Sequence, residues 1–165
     1  MSEQALMELE KKIKKIKIEA FVVYQDETQI FEYLKNKKVL EKPSKVYSIT
    51  KSIMGLLIGI LVDQGRIKTI HEPIYHYFPE FLSSSDPQKK EITLFHLLTM
   101  TSGLQVEDFQ SAKNWVKFIL DQPVIHKPGT TFEYHNGSSH LLVPLSKKSP
   151  ELLPQRLLNN FCSIH

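Results

Sequence analysis

The sequence predicts an α+β fold in which an N-terminal β-hairpin precedes a mainly helical region. Residues 19–24 and 29–34 have strand-like composition on either side of a polar turn at 25–28, which is typical of two antiparallel strands. An apolar run at 53–62, followed by Gly65, indicates a long buried helix. Shorter segments with helical spacing follow it, so helices outnumber strands in the predicted fold.

Helices are predicted elsewhere along the chain from the three- and four-residue spacing of apolar side chains. Thr93 is suited to cap one of them, because a threonine hydroxyl can accept a hydrogen bond from a backbone N–H of the first turn. The lysine-rich stretch 36–45 is a predicted loop. The predicted helices cover residues 4–16, 50–64, 71–78, 94–98 and 111–121.

Composition excludes several classes of protein. The chain of 165 residues is 41% hydrophobic and 24% charged with a net charge of +3, as in ordinary globular proteins. Its N-terminal lysines are interleaved with glutamates and no nucleic-acid-binding motif accompanies them, so we expect a solvated face and no nucleic-acid partner. The lone cysteine, Cys162, excludes an internal disulfide, and the histidines lack ligand spacing, so we predict no metal and no cofactor.

Two features bear on location. The first residues are polar and contain no apolar segment of the kind that directs secretion. The apolar run at 53–62 is shorter than the roughly 20 residues that a membrane-spanning helix needs. We therefore expect no transmembrane segment and a cytoplasmic location.

Ser48-Ile49-Thr50-Lys51 stands at the head of the long apolar helix and is the only Ser-x-x-Lys in the sequence. Three residues make nearly one helical turn, so the Ser48 hydroxyl and the Lys51 amine share a face. The positive end of a helix favours developing negative charge, and a lysine beside it can act as general base. The pattern indicates a serine nucleophile activated by lysine. The alternative is structural, since serine is a good N-cap and the lysine can be a solvated surface residue.

Tyr134-His135-Asn136 is the only Tyr-x-Asn in the chain and offers complementary chemistry. A tyrosine hydroxyl can relay a proton to a leaving group, and an asparagine amide can orient a substrate carbonyl or the lysine. Here too a structural alternative stands, because Asn136-Gly137 is strong turn chemistry before a helix.

These two motifs belong to a series that stands in order along the chain. The series reads VYSITKSI at 46–53, LVDQGRI at 61–67, IYHYFPEF at 74–81, ITLFHLLTMTSGL at 92–104 and PGTTFEYHN at 128–136. In order and spacing it resembles the serine β-lactamase and penicillin-binding-protein superfamily, over about residues 15–142. The most similar branch is the class C-like one, which includes esterases and D-amino-acid peptidases.

The resemblance implies an α+β fold of the β-lactamase/transpeptidase type, with the N-terminal hairpin as part of an antiparallel sheet. It implies that Ser48 is the acylated nucleophile, Lys51 its base or proton shuttle, and Tyr134 the second proton-transfer residue. Asn136 would bind the substrate amide, and the substrate would be a small-molecule amide, lactam or ester. Met100 departs from the family, which usually has histidine there, in a role that supports packing more than chemistry.

The family also has a third motif, Lys-Thr-Gly or His-x-Gly on a late strand, which closes the site and supplies an oxyanion N–H. The sequence shows no such strand motif, and we expect the C-terminal strands of the sheet to be missing. Residues 1–142 would then form a partial domain of low stability with little or no hydrolase activity. A non-catalytic fragment or a binding module is the alternative to a serine hydrolase.

After Leu142 the sequence changes character, because three prolines, the first of them Pro144, interrupt a predicted helix that begins at Ser139. A native proline-rich tail is one explanation. The other is the loss of one base near the Leu142 codon. Joining the third base of each codon to the first two of the next can recover S-A-I-I-Q-K-I-T-G-I-T-A-A-A-F-A-K-Q-F-L-F-N-P, which resembles the family's continuation. We therefore predict that residues 143–165 are an out-of-frame tail of a truncated chain.

Overall fold

The computed structural model describes residues 2–41, 43–106, 109 and 111–146. The chain divides into two compact units, Met1–Lys45 and Val46–His165. Within the described ranges the fold is α+β, as predicted, with one two-stranded antiparallel sheet and five α-helices. None of the helices in these ranges has both the length and the apolar character needed to cross a bilayer.

The first unit contains a helix and the predicted hairpin. The two residues that join the strands, Asp26 and Glu27, both have positive φ, of 48° and 64°, which matches the twist of a two-residue hairpin turn. Part of the predicted loop 36–45 is helical instead, because the Val39 N–H closes a turn onto the Asn36 carbonyl at 3.2 Å. The elements are α1 (Glu3–Ile13), β1 (Ala20–Gln25), β2 (Thr28–Leu34) and the 3-10 helix Lys37–Glu41.

The second unit is helical, and its last helix lies at the centre. That helix packs against each of the three other α-helices of the unit. Its inward side chains Leu141, Leu142, Val143 and Leu145 are buried in the main hydrophobic core. The α-helices are α2 (Ile49–Asp63), α3 (Leu94–Leu98), α4 (Trp115–Asp121) and α5 (Asn136–Ser146), and the 3-10 helices are Ile74–His76, Pro79–Ser83 and Pro87–Glu91.

Helix α2 ends as its sequence predicts. Gly65, with φ of +69°, follows its last turn, and the Gly65 N–H donates to the Val62 carbonyl while the Arg66 N–H donates to the Leu61 carbonyl. This pair of bonds is the Schellman motif that a glycine after a helix favours. The expectation of a buried helix is wrong for one face. Met54, Ile58 and Leu61 are buried, whereas the opposite face leaves Ile53, Leu56 and Ile60 exposed.

Three predicted helices are shorter than expected. The first of them, predicted over 4–16, ends at Ile13. In the segment 71–78 only Ile74–His76 is helical, because the Ile74 N–H is already bonded to the Ile92 carbonyl at 2.9 Å. The predicted helix 111–121 begins late, at Trp115, since the Asn114 side chain caps it by accepting from the Lys117 N–H.

Helix α5 corrects the expectation that Pro144 interrupts a helix beginning at Ser139. The helix begins at Asn136 and continues through Pro144 to Ser146. A proline inside a helix removes one hydrogen bond, but here the loss falls in the last turn, and the buried side chains on either side of it favour continued packing. The predicted boundary after Leu142 thus falls inside α5, and residues 147–165, including Cys162, lie outside the described residues.

Candidate active site

Ser48 lies directly before α2 in the N-cap position, yet its hydroxyl makes no capping hydrogen bond. The comparable side chains of α3 and α4 do cap their helices, since Thr93 accepts from the His96 N–H and Asn114 accepts from the Lys117 N–H. The Ser48 side chain therefore does not act as a helix cap, which was the structural alternative to a nucleophile. The Ser48 hydroxyl is exposed and is directed toward other functional groups.

The backbone before Ser48 is strained. Tyr47 has φ of +41°, in the left-handed region that non-glycine residues rarely adopt. Two bonds hold this conformation, because the Thr50 hydroxyl donates to the Tyr47 carbonyl and the Thr50 N–H donates to the same carbonyl at 3.1 Å. Strained residues of this kind cluster at functional sites, where surrounding bonds keep them in place.

Lys51 lies one turn along α2 and reaches two groups. Its Nζ is 3.1 Å from the Ser48 Oγ and 2.8 Å from the Asn136 Oδ1, and it also lies 5.1 Å from the centroid of the Tyr134 ring. The amide oxygen of Asn136 can only accept, so the lysine donates there. The asparagine therefore fixes the direction of the lysine side chain toward the serine.

Tyr134 completes the cluster from a segment far away in the sequence. Its hydroxyl donates to the Ser48 Oγ at 2.6 Å, although the residue as a whole is 56% exposed. The hydrogen bond with Ser48, followed by the hydrogen bond and positive charge of Lys51, lowers the pKa of Tyr134 below its usual 10.0. The structure therefore brings together all four residues that the sequence proposed as a site: Ser48, Lys51, Tyr134 and Asn136.

The chain that leads to Tyr134 is held by the turn after α3. The Glu133 N–H donates to the Met100 carbonyl at 3.0 Å, and the Gly129 N–H donates to the Thr101 carbonyl at 2.8 Å. Met100 has φ of +55° and Gly129 has φ of +85°, so each of these two hydrogen bonds involves one residue with left-handed backbone. Met100, the position that departs from the family, thus contributes its backbone carbonyl to the segment before Tyr134.

Polar residues next to the site were not predicted as functional from the sequence. His135 stands immediately before α5 and bonds to Ser138, and the Ser138 hydroxyl lies 3.3 Å from that of Ser102. The sequence signal was present but weak, since a histidine three residues before a serine at a helix start fits many arrangements. No cluster of three potential metal ligands occurs in the ranges that the structure describes.

The geometry restricts how Ser48 can lose its proton. The Ser48 Oγ contacts both the Lys51 Nζ and the Tyr134 hydroxyl, so either could accept. An ammonium has no lone pair, and the Tyr134 hydroxyl is the donor in its bond to Ser48, so we expect the pair to act as a base only after it has lost one proton. The lowered pKa of Tyr134 makes that form easier to reach than for a tyrosine alone.

Comparison with known proteins places the chain in one family. The β-lactamase family model matches residues 20–147. The chain is 33% identical over 119 residues to Protein flp of Staphylococcus aureus strain COL, and 34% identical over 116 residues to β-lactamase-like protein 4 of Dictyostelium discoideum. These matches cover 65% and 62% of this chain but 24% and 20% of the relatives.

Solved structures share the fold. A protein of Bacteroides dorei DSM 17855 assigned as a β-lactamase superposes with a TM-score of 0.67 and 22% identity, covering 88% of this chain and 46% of that chain. A protein of Bacillus anthracis assigned as a 6-aminohexanoate-dimer hydrolase gives a TM-score of 0.67 and 20% identity, covering 94% of this chain and 45% of that chain. The chain thus spans under half of these structures and about a quarter or less of the curated relatives. With its family match over most of its length and a β-lactamase-like fold, the chain belongs to the β-lactamase family of serine hydrolases.

Proposed function

We propose that this chain carries the acyl-transfer centre of a serine hydrolase, in which Ser48 attacks the carbonyl of a small amide, lactam or ester. The observation that carries the proposal is the convergence of the Lys51 Nζ and the Tyr134 hydroxyl on the Ser48 Oγ, at 3.1 and 2.6 Å. Distances of this size suit proton transfer between a nucleophile and its base.

In the proposed acylation step, the Lys51–Tyr134 pair, short of one proton, takes the proton of the Ser48 hydroxyl. The Ser48 Oγ forms a bond to the substrate carbonyl carbon, and the carbonyl oxygen becomes an oxyanion. The positive end of α2 favours this charge, and the Ser48 backbone N–H would donate to it. The intermediate collapses when the bond to the leaving nitrogen or oxygen breaks and the pair returns its proton to the leaving group.

Release of the acyl group would reverse these roles. A water molecule gives its proton to the same pair and attacks the ester carbon, and the Ser48 oxygen leaves with that proton. Asn136 contributes in two ways in this proposal: its amide oxygen orients Lys51, and its amide N–H group would bind a substrate carbonyl.

We further propose that residues 143–165 are out of frame. This proposal rests on the codon argument for the tail. Sequencing the coding DNA around the Leu142 codon tests it, and an intact frame shared with relatives would refute it.

The test of the acyl-transfer proposal is covalent labelling of the purified chain by an alkyl fluorophosphonate and by a fluorescent penicillin. We expect labelling in the wild-type chain and none in Ser48→Ala. Ser52→Ala is the matched control, because Ser52 is an exposed serine one turn further along α2, outside the proposed site. Equal labelling of Ser48→Ala and Ser52→Ala would show that Ser48 is not the nucleophile.

A further inference from the structure

His135 stands between two residues of the proposed site but makes its own contacts elsewhere. Tyr134 reaches the Ser48 Oγ and Asn136 reaches the Lys51 Nζ. The His135 imidazole is half-buried and bonds to Ser138, inside the first turn of α5. Whatever fixes His135 therefore also fixes the backbone that carries both neighbours.

The imidazole caps α5. Its Nδ1 accepts a hydrogen bond from the Ser138 N–H at 3.3 Å, and Ser138 is the third residue of the helix. This is the pattern by which Thr93 caps α3 and Asn114 caps α4, where the third backbone N–H also donates to the capping side chain. His135 is thus the N-cap residue of α5, a position that is usually occupied by serine, threonine, aspartate or asparagine.

The other ring nitrogen belongs to a buried series of hydrogen-bonded polar groups. The His135 Nε2 lies 3.4 Å from the Ser138 hydroxyl, which lies 3.3 Å from the Ser102 hydroxyl, and the Ser102 oxygen also accepts from the Leu104 N–H at 3.4 Å. Both serines are 0% exposed. Since Nδ1 accepts a backbone N–H, the ring proton belongs on Nε2, where it can donate to Ser138. The arrangement requires the neutral imidazole.

We propose that His135 is a positioning residue, whose neutral imidazole caps α5 and thereby holds Tyr134 and Asn136 against Ser48 and Lys51. For its effect on rate, this inference rests on the proposed function. For its effect on structure, it rests only on the contacts of His135, Ser138 and Ser102. The cap itself can therefore be tested whether or not the chain is a hydrolase.

The cap is sensitive to acid. Burial lowers the pKa of His135 below its usual 6.5, while the negative charge of Glu133 on the same segment acts in the opposite direction. The contact from the loop after α3 is the neutral Ser102 hydroxyl, through Ser138. Protonation would remove the acceptor at Nδ1 and place a positive charge at the positive end of α5. Because the folded chain binds this proton less readily than the unfolded chain, the stability that the cap supplies is complete above pH 6.5 and decreases as the pH falls toward the lower pKa.

Two substitutions distinguish the capping hydrogen bond from the titration of the imidazole ring. His135→Ala removes the capping group, whereas His135→Asn keeps an acceptor for the Ser138 N–H that does not titrate. Asn114→Ala is the matched control, since it removes the equivalent cap of α4, away from the site. A purely structural role predicts that His135→Ala and Asn114→Ala behave alike.

The first measurement is NMR of the full chain between pH 5 and pH 8. We expect the Ser138 amide signal to follow the titration of the His135 ring in the wild type, and not to titrate in His135→Asn. We also expect His135→Ala, but not Asn114→Ala, to shift the Tyr134 ring and Asn136 side-chain signals. A Ser138 amide that ignores the His135 titration would overturn the cap, and unmoved Tyr134 and Asn136 signals would overturn the positioning role.

The second measurement is the rate of labelling by the alkyl fluorophosphonate. His135→Ala should lower the rate by about 10- to 100-fold at pH 7.5, as a small displacement of reacting groups can do. His135→Asn should retain the rate and lose the acid inflection of the wild type near the His135 titration. An identical acid inflection in His135→Asn would refute the assignment to His135. Absence of labelling in the wild type would overturn the proposed function, while the NMR result would still decide the cap.

Discussion

At Ser48 two contacts meet on one hydroxyl oxygen, and each comes from a different element. Lys51 belongs to the same helix, so the three-residue spacing alone determines its approach. Tyr134 comes from the segment before α5, so its approach depends on the packing of α5 against α2. The serine is thus sensitive both to local substitutions in α2 and to distant ones that displace α5.

Tyr134→Phe removes the hydroxyl that lies 2.6 Å from the Ser48 Oγ while keeping the ring. We expect the rate of Ser48 labelling to fall by roughly 10²- to 10⁴-fold, the usual contribution of a positioned proton-transfer group. Tyr24→Phe is the control, because Tyr24 is an exposed tyrosine whose hydroxyl donates only locally, to Gln29. Equal rates for Tyr134→Phe and the wild type would remove Tyr134 from the mechanism.

The labelling rate should also rise with pH. In the proposed mechanism the active form of the Lys51–Tyr134 pair is the one that has lost a proton, and contacts with Ser48 and then Lys51 lower the pKa of Tyr134. The rate should therefore increase through an apparent pKa below 10.0, the usual value for tyrosine, and then level off. A stopped-flow or gel-based rate profile from pH 6 to pH 10 measures it. A rate that is constant across this range would contradict proton loss from the pair as the activating step.

Sequence motifs predicted the four residues that meet at the site, because each motif combines particular residue types with a fixed spacing. Ser48 and Lys51 are local neighbours, and the Tyr-x-Asn pattern supplied Tyr134 and Asn136. His135 was not predictable in the same way, since a histidine that caps a helix has no sequence spacing that distinguishes it from a solvated histidine. The positive φ of Tyr47 was also beyond reach, because a tyrosine gives no sequence signal for left-handed backbone.

At the scale of the element, some helix ends were predictable from a glycine or a capping side chain, whereas the Asn114 cap of α4 and the ends determined by packing were not. Gly65 and Thr93 identify the ends of α2 and α3 correctly. The limits of α5 follow instead from burial, which carries the helix through Pro144. Likewise, the apolar run of α2 could not show which of its faces packs, because apolar residues occur on all sides of it.

Helix α5 approaches the loop after α3 so closely that Gly137 has a packing role. A Cβ at Gly137 would lie 2.6 Å from the Val106 Cγ1. Alanine in a helix normally stabilises relative to glycine by roughly 0.5–1 kcal/mol, but overpacking costs about 1–3 kcal/mol, so we expect Gly137→Ala to lower the free energy of unfolding. Chemical denaturation measures the change.

The matched test is Gly137→Ala combined with Val106→Ala. The second substitution removes the methyl groups that the new Cβ would meet, so the double variant should recover part of the stability lost by Gly137→Ala. If the two substitutions instead add without coupling, the contact with Val106 does not explain the glycine.

For the whole molecule, we expect the two compact units to differ in how well their backbone amides are protected from exchange with solvent. In the described part of the first unit the sheet consists of two strands, β1 and β2. A hairpin of this size is marginally stable by itself, whereas the core around α5 in the second unit is formed by many buried side chains. Sequence patterns predicted the hairpin and the helical region, but the division into units depends on contacts that no sequence pattern specifies.

Hydrogen exchange followed by mass spectrometry tests this difference. We expect peptides from β1 and β2 to exchange much faster than peptides from α2 and α5, because strand amides at open edges and weakly packed hairpins open locally. An added check is Ile58→Ala in α2, which should speed exchange in α2 and α5 by removing a fully buried side chain. Slow exchange in the hairpin, equal to that of α2, would show that the hairpin is stabilised as strongly as the helical core.

We propose centrally that Ser48 is the nucleophile, because Lys51 and Tyr134 converge on its hydroxyl and Asn136 orients Lys51. Peptide mapping by mass spectrometry after reaction with the alkyl fluorophosphonate locates the modified residue directly. We predict a single adduct on Ser48, together with strongly reduced modification in Lys51→Ala and unchanged modification in Lys90→Ala, an exposed lysine away from the site. Modification at another residue, or equal modification of Ser48 in Lys51→Ala, would contradict the claim.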